Sequence, residues 1–217
     1  MGPVVSIVGT SGCGKTTLIC KLLPLFAERG YRVAVIKHHD GDFAIDHEGK
    51  DTYRFAATGA PTVMISSPGK TAIVRRNAAE PSLDELIAAF APDADLILTE
   101  GFKHADAPKI EVWRQGQPDE TFVCCDDPTW LALVTDFPHH VDVPVLDLNW
   151  PEQVVDFIEN RFLKSAKPRR VQLLVNGRRI PLNAYVTDML TGVVRGAVSS
   201  LRGGEQPDRI LLRIEEE

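Results

Sequence analysis

The fold is decided by Gly9-Thr10-Ser11-Gly12-Cys13-Gly14-Lys15-Thr16-Thr17, which matches the pattern G-x-x-x-x-G-K-[ST] at every fixed position. An apolar run over residues 4–8 precedes this stretch and indicates a buried strand. The glycines permit a tight turn in which successive backbone N–H groups point at one anion, and the helix that begins near Lys15 adds the positive end of its dipole. The stretch therefore predicts a phosphate-binding loop inside an α/β fold.

The members of this loop have expected roles in holding a nucleotide. Lys15 should reach the β- and γ-phosphates, and the hydroxyl of Thr16 should bind Mg²⁺. Cys13 occupies a variable position, so we expect it to fill space in the loop without a redox role. The residues predicted to bind nucleotide here are Gly9, Ser11, Gly12, Cys13, Gly14, Lys15, Thr16 and Thr17.

Composition limits the classes of protein that fit. The chain has 217 residues, of which 44% are apolar, enough for one substantial α/β domain and a small appendage. Its net charge of -6 argues against nucleic-acid binding through a broad basic field. The four cysteines form no C-x-x-C pair, which suits a reducing compartment. Because no apolar run approaches a membrane span and no basic signal region is present, we expect a cytoplasmic protein without membrane contact.

Apolar periodicity on both sides of the loop predicts alternating strands and helices. We expect a P-loop NTPase-type, mostly parallel sheet with flanking helices and one inserted antiparallel hairpin, whose turn is Ser67-Pro68-Gly69-Lys70. The form of Ser82-Leu83-Asp84-Glu85 predicts a capping box at a helix start. The expected strands are residues 4–8, 31–37, 62–66, 71–75, 95–99, 109–113, 122–125, 130–135 and 143–148, and the expected helices are residues 15–29, 50–58, 82–90 and 151–162.

A basic, proline-containing break at residues 164–170 predicts a linker. Residues 1–163 then form the nucleotide-binding domain, and residues 171–217 form a small α+β module (ββαβ) of unknown role. In this module Asn176-Gly177 predicts a hairpin turn, Asn183 can cap a helix with one apolar face, and residues 209–214 indicate a last strand. Such a small unit buries little surface alone, so we expect it to pack on the main domain or on another subunit.

Three acidic residues stand where further contacts to a nucleotide are expected. Glu100 follows an apolar strand, which favours a Walker B acid that meets Mg²⁺ over a solvated glutamate at a strand end. Asp46 begins Asp46-His47-Glu48-Gly49, which resembles the D-x-x-G of switch loops that sense a γ-phosphate, although an ordinary loop explains the pattern nearly as well. Asp136 directly follows the strand at 130–135 and could accept hydrogen bonds from guanine.

Lysines and histidines near these acids have two interpretations each. Lys103 and Lys109 flank the loop after Glu100 and could contact phosphate, although exposed lysines commonly serve only to keep a surface hydrated. The histidines of the segment that follows the strand at 31–37 could bind a metal together with Asp40, but their spacing matches no zinc signature, which favours solvated loop histidines. These histidines are His38, His39 and His47.

Four blocks in order between residues 9 and 111 resemble the MobB family, the molybdopterin-guanine dinucleotide biosynthesis adapter proteins. The blocks are the phosphate loop, then Ile36-Lys37-His38-His39, then the segment from Phe43 to Ala60, and finally Glu100-Gly101-Phe102-Lys103 with Pro108-Lys109-Ile110-Glu111. The resemblance weakens after Arg114 and does not explain residues 170–217.

The resemblance implies a cytoplasmic GTP-binding protein, commonly dimeric, with weak GTPase activity and with GTP and Mg²⁺ as its ligands. Such a protein assists the molybdopterin guanylyltransferase (MobA-type) that attaches GMP to molybdopterin in molybdenum cofactor biosynthesis. By motif match, the resemblance makes Lys15, Asp46 and Glu100 the catalytic residues. It makes Thr16, Asp46 and Glu100 the Mg²⁺ ligands.

Two other classes of protein share the same core. A metallochaperone GTPase that inserts nickel normally adds a cysteine motif or a long histidine run, and this sequence has neither. A small-molecule P-loop kinase needs an acceptor pocket and a lid that carries arginines, for which Arg75-Arg76 is the only candidate pair in the core. Titration of nucleotide with and without Ni²⁺ or Zn²⁺ separates the first class from the adapter.

Overall fold

The computed structural model describes residues 2–91, 93–116, 122–164, 171, 173–175, 178–201 and 210. In chain order its elements are β1 (Val4–Val8), α1 (Lys15–Glu28), β2 (Val33–Lys37), α2 (Asp51–Ala57), β3 (Thr62–Ser67), β4 (Lys70–Arg75), α3 (Leu83–Phe90), β5 (Leu96–Glu100), β6 (Lys109–Trp113), β7 (Trp130–Thr135), β8 (Val145–Asp147), α4 (Pro151–Ile158), β9 (Leu174–Val175), β10 (Arg178–Arg179) and α5 (Ala184–Ser199), with one π-helical turn (Glu159–Leu163) after α4.

Six of the strands form one sheet in the order β2-β5-β1-β6-β7-β8, and every neighbouring pair is parallel. β1, β5 and β7 are mostly apolar, because a parallel sheet is buried on both faces. One face packs against α1 and α4, where Phe26 and Val155 are fully buried. Burying a side chain of this size contributes about 1.5–3 kcal/mol. The predicted α/β, P-loop NTPase-type fold is confirmed.

The parallel arrangement brings the functional segments to one edge of the sheet. The phosphate loop follows β1, Lys37 ends β2, and Glu100 ends β5. Glu100 is thus the last residue of its strand, paired in register with Lys37 on one side and Ile7 on the other. Ligands of open α/β sheets bind outside the carboxyl ends of the strands, and this edge is therefore where a nucleotide is expected.

The inserted hairpin is present as β3 and β4, which form a separate antiparallel sheet. Ser67 pairs with Lys70 across the predicted turn. Met64 and Ile65 of β3 are 60% and 58% exposed. The hairpin thus carries apolar side chains that the rest of the described chain leaves uncovered.

The strand expected at residues 122–125 is wrong, because these residues form a turn. The turn is held by Glu111 of β6, whose carboxylate accepts the backbone N–H groups of Val123 at 2.6 Å and Cys124 at 3.0 Å. Those N–H groups have a side-chain acceptor and need no neighbouring strand. Burial raises the pKa of Glu111, and burial beside the charges of Glu111 and Asp127 raises the pKa of the Cys124 thiol to about 12.

The end of the chain is described only in part. β9 and β10 pair antiparallel, and the side chain of Asn183 accepts the Val186 N–H at 2.9 Å, which caps α5 as expected. The turn at Asn176-Gly177, residues 165–170 of the expected linker and all of the expected strand at 209–214 except Ile210 lie outside the described residues. The division into a domain, a linker and a module stays a prediction. Within the described part of the chain, no helix is long and apolar enough to cross a membrane.

Candidate functional site

The loop between β1 and α1 has a backbone that only glycine adopts easily. Gly9, Gly12 and Gly14 have φ angles of 136°, 79° and 102°, all in the region that disfavours other residues. At Gly9 a Cβ would lie 2.3 Å from the carbonyl oxygen of Val112, so the loop needs glycine there to approach β6. Gly14 has no side chain and occupies the N-cap of α1, which leaves the N–H groups of the first turn for an anion.

The side chain of Lys15 folds over this loop. Its Nζ donates to the carbonyl oxygens of Gly9 at 3.0 Å and Thr10 at 2.6 Å. A cation is therefore held at the loop where phosphate charge would be neutralised. Cys13 is fully buried with its Sγ 3.8 Å from the Lys15 ammonium, and burial raises the pKa of this thiol. Cys13 is accordingly a protonated packing residue beneath the loop.

Thr16 and Glu100 meet beside the loop. The Oγ1 of Thr16 donates to both carboxylate oxygens of Glu100, each at 2.8 Å. The Nζ of Lys37 lies 3.1 Å from Oε1 of the same carboxylate. The side chain of Glu100 is only 12% exposed, so a hydroxyl and an ammonium together compensate a largely desolvated charge.

This donor set fits Mg²⁺. A threonine hydroxyl and a carboxylate are hard oxygen ligands, and Mg²⁺ is commonly held by one or two such groups together with substrate phosphates. Thr16 is the second residue of α1, and Glu100 ends a central strand, so the backbone holds both groups in place. The two residues form the part of the predicted metal site that the structure brings together.

Other predicted site residues lie apart from this pair. Asp46 accepts the N–H of His47 at 2.9 Å within its own loop, and no described contact joins it to Thr16 or Glu100. Lys103 is exposed in the loop that follows β5. Their roles toward nucleotide therefore stay predictions.

Asp136 lies at the carboxyl end of β7, on the same edge of the sheet as the loop. Its Oδ1 accepts the N–H of Gln115 at 3.2 Å, and its Oδ2 lies 3.3 Å from Nε of Arg114. A guanine base that bound Asp136 would therefore have to share the carboxylate with Gln115 and Arg114, or displace them. Arg114, which follows β6, is not among the residues that the sequence predicts for the site.

Neither interpretation of Lys109, as a phosphate contact or as an exposed surface lysine, fits the structure. Its Nζ donates to Asp127 Oδ2 at 2.9 Å, to the Ala105 carbonyl at 2.8 Å and to Thr129 Oγ1 at 2.8 Å. The lysine side chain is 3% exposed, so all its donors are committed inside the protein. Nothing in the local sequence indicates this burial, since a lysine that opens a strand is usually exposed.

Of the histidines after β2, His38 forms a hydrogen bond with a carboxylate. The Nε2 of His38 lies 2.6 Å from Oε1 of Glu80, and its ring packs on Phe102 with the centroids 4.9 Å apart. Among the described residues, no group of three or more His, Cys, Asp or Glu side chains could hold a metal ion. The interpretation of His38, His39 and His47 as solvated loop histidines stays a prediction.

Lys37 is the site residue that the sequence analysis missed. It stands in the block Ile36-Lys37-His38-His39, which was noted for its resemblance and not for a role. Only the pairing of β2 with β5 places it opposite Glu100.

Known proteins similar to this chain carry the name of one family. Residues 4–136 match the family model of molybdopterin guanine dinucleotide synthesis protein B, MobB. The molybdopterin-guanine dinucleotide biosynthesis adapter protein of Haemophilus influenzae is 39% identical over 159 residues, which are 73% of this chain and 88% of that protein. The adapter protein of Escherichia coli is 37% identical over 164 residues, covering 73% of this chain and 92% of that protein.

A crystal structure of molybdopterin-guanine biosynthesis protein B superimposes with a TM-score of 0.58 and 34% identity, over 72% of this chain and 98% of that one. Residues 4–136, which match the family model, contain the phosphate loop, Lys37 and Glu100. The chain belongs to the MobB family.

Proposed function

We propose that the chain is a GTP-binding adapter protein in the molybdenum cofactor pathway, where it assists the guanylyltransferase that attaches GMP to molybdopterin. The observation that carries the proposal is the Thr16–Glu100 contact at 2.8 Å beside a complete phosphate loop. The relatives named above as adapter proteins in molybdopterin-guanine dinucleotide biosynthesis supply the pathway. Four free cysteines support a location in the cytoplasm, a reducing compartment.

In this proposal the chain binds and orients the nucleotide. The loop N–H groups and Lys15 hold the phosphates, as charge-assisted hydrogen bonds to an anion are strong. Thr16 and Glu100 hold Mg²⁺, which when bound neutralises charge on the phosphates. Asp46 would contact the γ-phosphate, and Asp136 would bind the base.

Slow GTP hydrolysis follows from the placement of the arginines. An arginine that stabilises the transition state raises phosphoryl-transfer rates by roughly 10³–10⁵ where it operates. The arginines before residue 116 contact other groups in the structure, among them Asp156, Asp95 and Asp136. These arginines are Arg29, Arg32, Arg54, Arg75, Arg76 and Arg114. A site that binds GTP without efficient chemistry suits an adapter.

The alternative classes have less support. The guanidinium of Arg75 lies 5.9 Å from the ring centroid of Phe90, and Arg76 donates to the Ala56 carbonyl at 2.7 Å. These two arginines, the candidate lid pair of a kinase, thus contact groups outside the phosphate loop. A metallochaperone needs a group of side chains that binds its metal. Among the described residues, no group of three or more His, Cys, Asp or Glu could hold a metal ion.

We also propose that the adapter is a homodimer joined through the β3–β4 hairpin. A two-stranded sheet alone is at best marginally stable in water, so this hairpin needs a covering surface. Met64 and Ile73 pair across the two strands, so they lie on one face of the hairpin, and they are 60% and 37% exposed. A second copy would present the same apolar residues and free strand edges, which makes the surface self-complementary.

The proposed function is tested by reconstitution. Purified guanylyltransferase converts molybdopterin to its guanine dinucleotide at limiting GTP, with this protein added either intact or as Lys15→Ala. We expect more product with the intact protein at low GTP, because only it delivers bound nucleotide. Equal product with both proteins at every GTP concentration would exclude the adapter role.

A further inference from the structure

Lys37 places a cation on the carboxylate that the proposed function assigns to Mg²⁺. Lys37 ends β2, the edge strand of the sheet, and pairs in register with Glu100 at the end of β5. Its Nζ lies 3.1 Å from Oε1 of Glu100. The carboxylate therefore carries a counter-ion of its own before any metal arrives.

The two partners differ in how freely they can move. The Glu100 side chain is 12% exposed, whereas the Lys37 side chain is 60% exposed. A carboxylate with little water around it needs compensation, which Lys37 and the Thr16 hydroxyl supply. A lysine has a flexible four-carbon stem and a strongly hydrated head, so Lys37 can leave for solvent at small cost.

Lys37 and a divalent cation cannot share this carboxylate without cost. Both would lie within a few ångströms of Oε1, where like charges repel strongly in a partly buried setting. The repulsion is relieved when the ammonium swings away from Glu100. The ion pair and metal binding are therefore mutually opposed.

We propose that Lys37 is an exchangeable counter-ion of Glu100, which holds the carboxylate in the metal-free protein and competes with Mg²⁺ for it. This inference rests on the proposed function, because the divalent cation arrives with the bound nucleotide. It makes Lys37 a positioning residue that sets the Mg²⁺ concentration at which the site fills.

The test compares Lys37→Met with the matched control Lys21→Met, an exposed lysine on α1. Three quantities are measured on the full chain: GTP affinity in EDTA, the Mg²⁺ midpoint of the GTP-bound protein, and the thermal unfolding midpoint with and without Mg²⁺ and GTP. The same titration on Glu100→Gln, alone and combined with Lys37→Met, shows whether the effect passes through the carboxylate.

We expect Lys37→Met to lower the Mg²⁺ midpoint at least about fivefold, since a competing charge is lost. Its unfolding midpoint should fall by about 2–4 °C without metal, and this loss should disappear with Mg²⁺ and GTP. In the Glu100→Gln background, Lys37→Met should change neither the Mg²⁺ midpoint nor the unfolding midpoint. Lys21→Met should behave as wild type.

The inference is overturned if Lys37→Met loses the same stability with and without Mg²⁺ and keeps the Mg²⁺ midpoint of wild type. Lys37 and Glu100 would then form only a structural salt bridge. GTP binding in EDTA would persist in that case, so the proposed function would stand. If the wild-type protein binds no GTP under either condition, the proposed function itself fails, and this inference fails with it.

Discussion

Lys109 and Asp127 form an ion pair at the start of β6, with Nζ 2.9 Å from Oδ2 and the lysine side chain 3% exposed. Asp127 also accepts hydrogen bonds from the N–H and hydroxyl of Thr129 at 2.8 and 2.6 Å. Lys109 additionally donates to the Ala105 carbonyl at 2.8 Å. One buried ammonium therefore fastens the loop that follows Glu100 and the turn before β7 to the sheet.

Replacing Lys109 by methionine should lower the free energy of unfolding by about 2–4 kcal/mol. Removing one partner of a fully buried pair costs about 3–5 kcal/mol, and the value here is smaller because Asp127 is 27% exposed. Chemical denaturation measures the loss, with Lys21→Met as the exposed control, for which the change should stay within about 0.5 kcal/mol. A loss below about 1 kcal/mol for Lys109→Met would contradict the buried pair.

The same pair predicts a pH dependence of stability. The hydrogen bonds from Thr129 and Lys109 lower the pKa of Asp127 to about 2 from an ordinary value of 3.8. Because the folded-state pKa is depressed, the stabilisation is complete above pH 3.8 and is lost as the pH falls toward 2. Asp127→Asn should flatten the stability curve in this window, as measured by denaturation at fixed pH values. An unchanged curve would show that other carboxyl groups cause the acid loss.

Lys15→Ala should weaken binding of the Mg²⁺ nucleotide by at least about 2 kcal/mol, because it deletes a charge-assisted contact to the phosphates. In the free protein Lys15 donates to the carbonyls of Gly9 and Thr10, so circular dichroism should accompany the calorimetry to confirm an intact fold. Lys21→Ala removes the same charge from an exposed part of α1 and should leave affinity unchanged. Equal affinity of Lys15→Ala and wild type would remove the phosphate role of this lysine.

Asp136→Asn should narrow the preference of the protein for GTP over ATP. An ionised carboxylate accepts hydrogen bonds from two guanine N–H groups, whereas asparagine presents one acceptor and one donor. The variant also removes the negative charge beside Arg114, whose Nε lies 3.3 Å from the Asp136 carboxylate. Arg114→Gln is therefore the matched control for the loss of this ion pair. Competition between the two nucleotides for one fluorescent analogue gives the ratio. If wild type binds both equally, guanine recognition by Asp136 is excluded.

Met64→Glu should shift the protein from dimer to monomer, because it places a charge on the exposed apolar face of the β3–β4 hairpin. Sedimentation velocity over a range of concentrations measures the change. Lys70→Glu, at the first residue of β4 beside the turn, is the control and should keep the oligomeric state of wild type. A wild-type protein that remains monomeric at high concentration would refute the hairpin dimer.

Local sequence was sufficient wherever neighbours along the chain decide the structure. The capping box of α3 is present in both of its bonds, between the Ser82 side chain and the Glu85 N–H and between the Glu85 side chain and the Ser82 N–H. The β3–β4 turn likewise closes between Ser67 and Lys70. Residues 122–125 show the limit of such reasoning, because their apolar pattern indicated a strand while the distant Glu111 carboxylate held them as a turn.

The sequence by itself determined the phosphate loop, since its glycines at φ angles of 79° and 102° and the helix start after Gly14 are properties of consecutive residues. Tertiary structure alone decided that Lys37 faces Glu100 and that Lys109 turns inward to Asp127. The reason is that both contacts depend on strand register, in which a shift of one residue reverses the face on which a side chain lies. That register is set by packing between segments far apart in the chain, which no short pattern records.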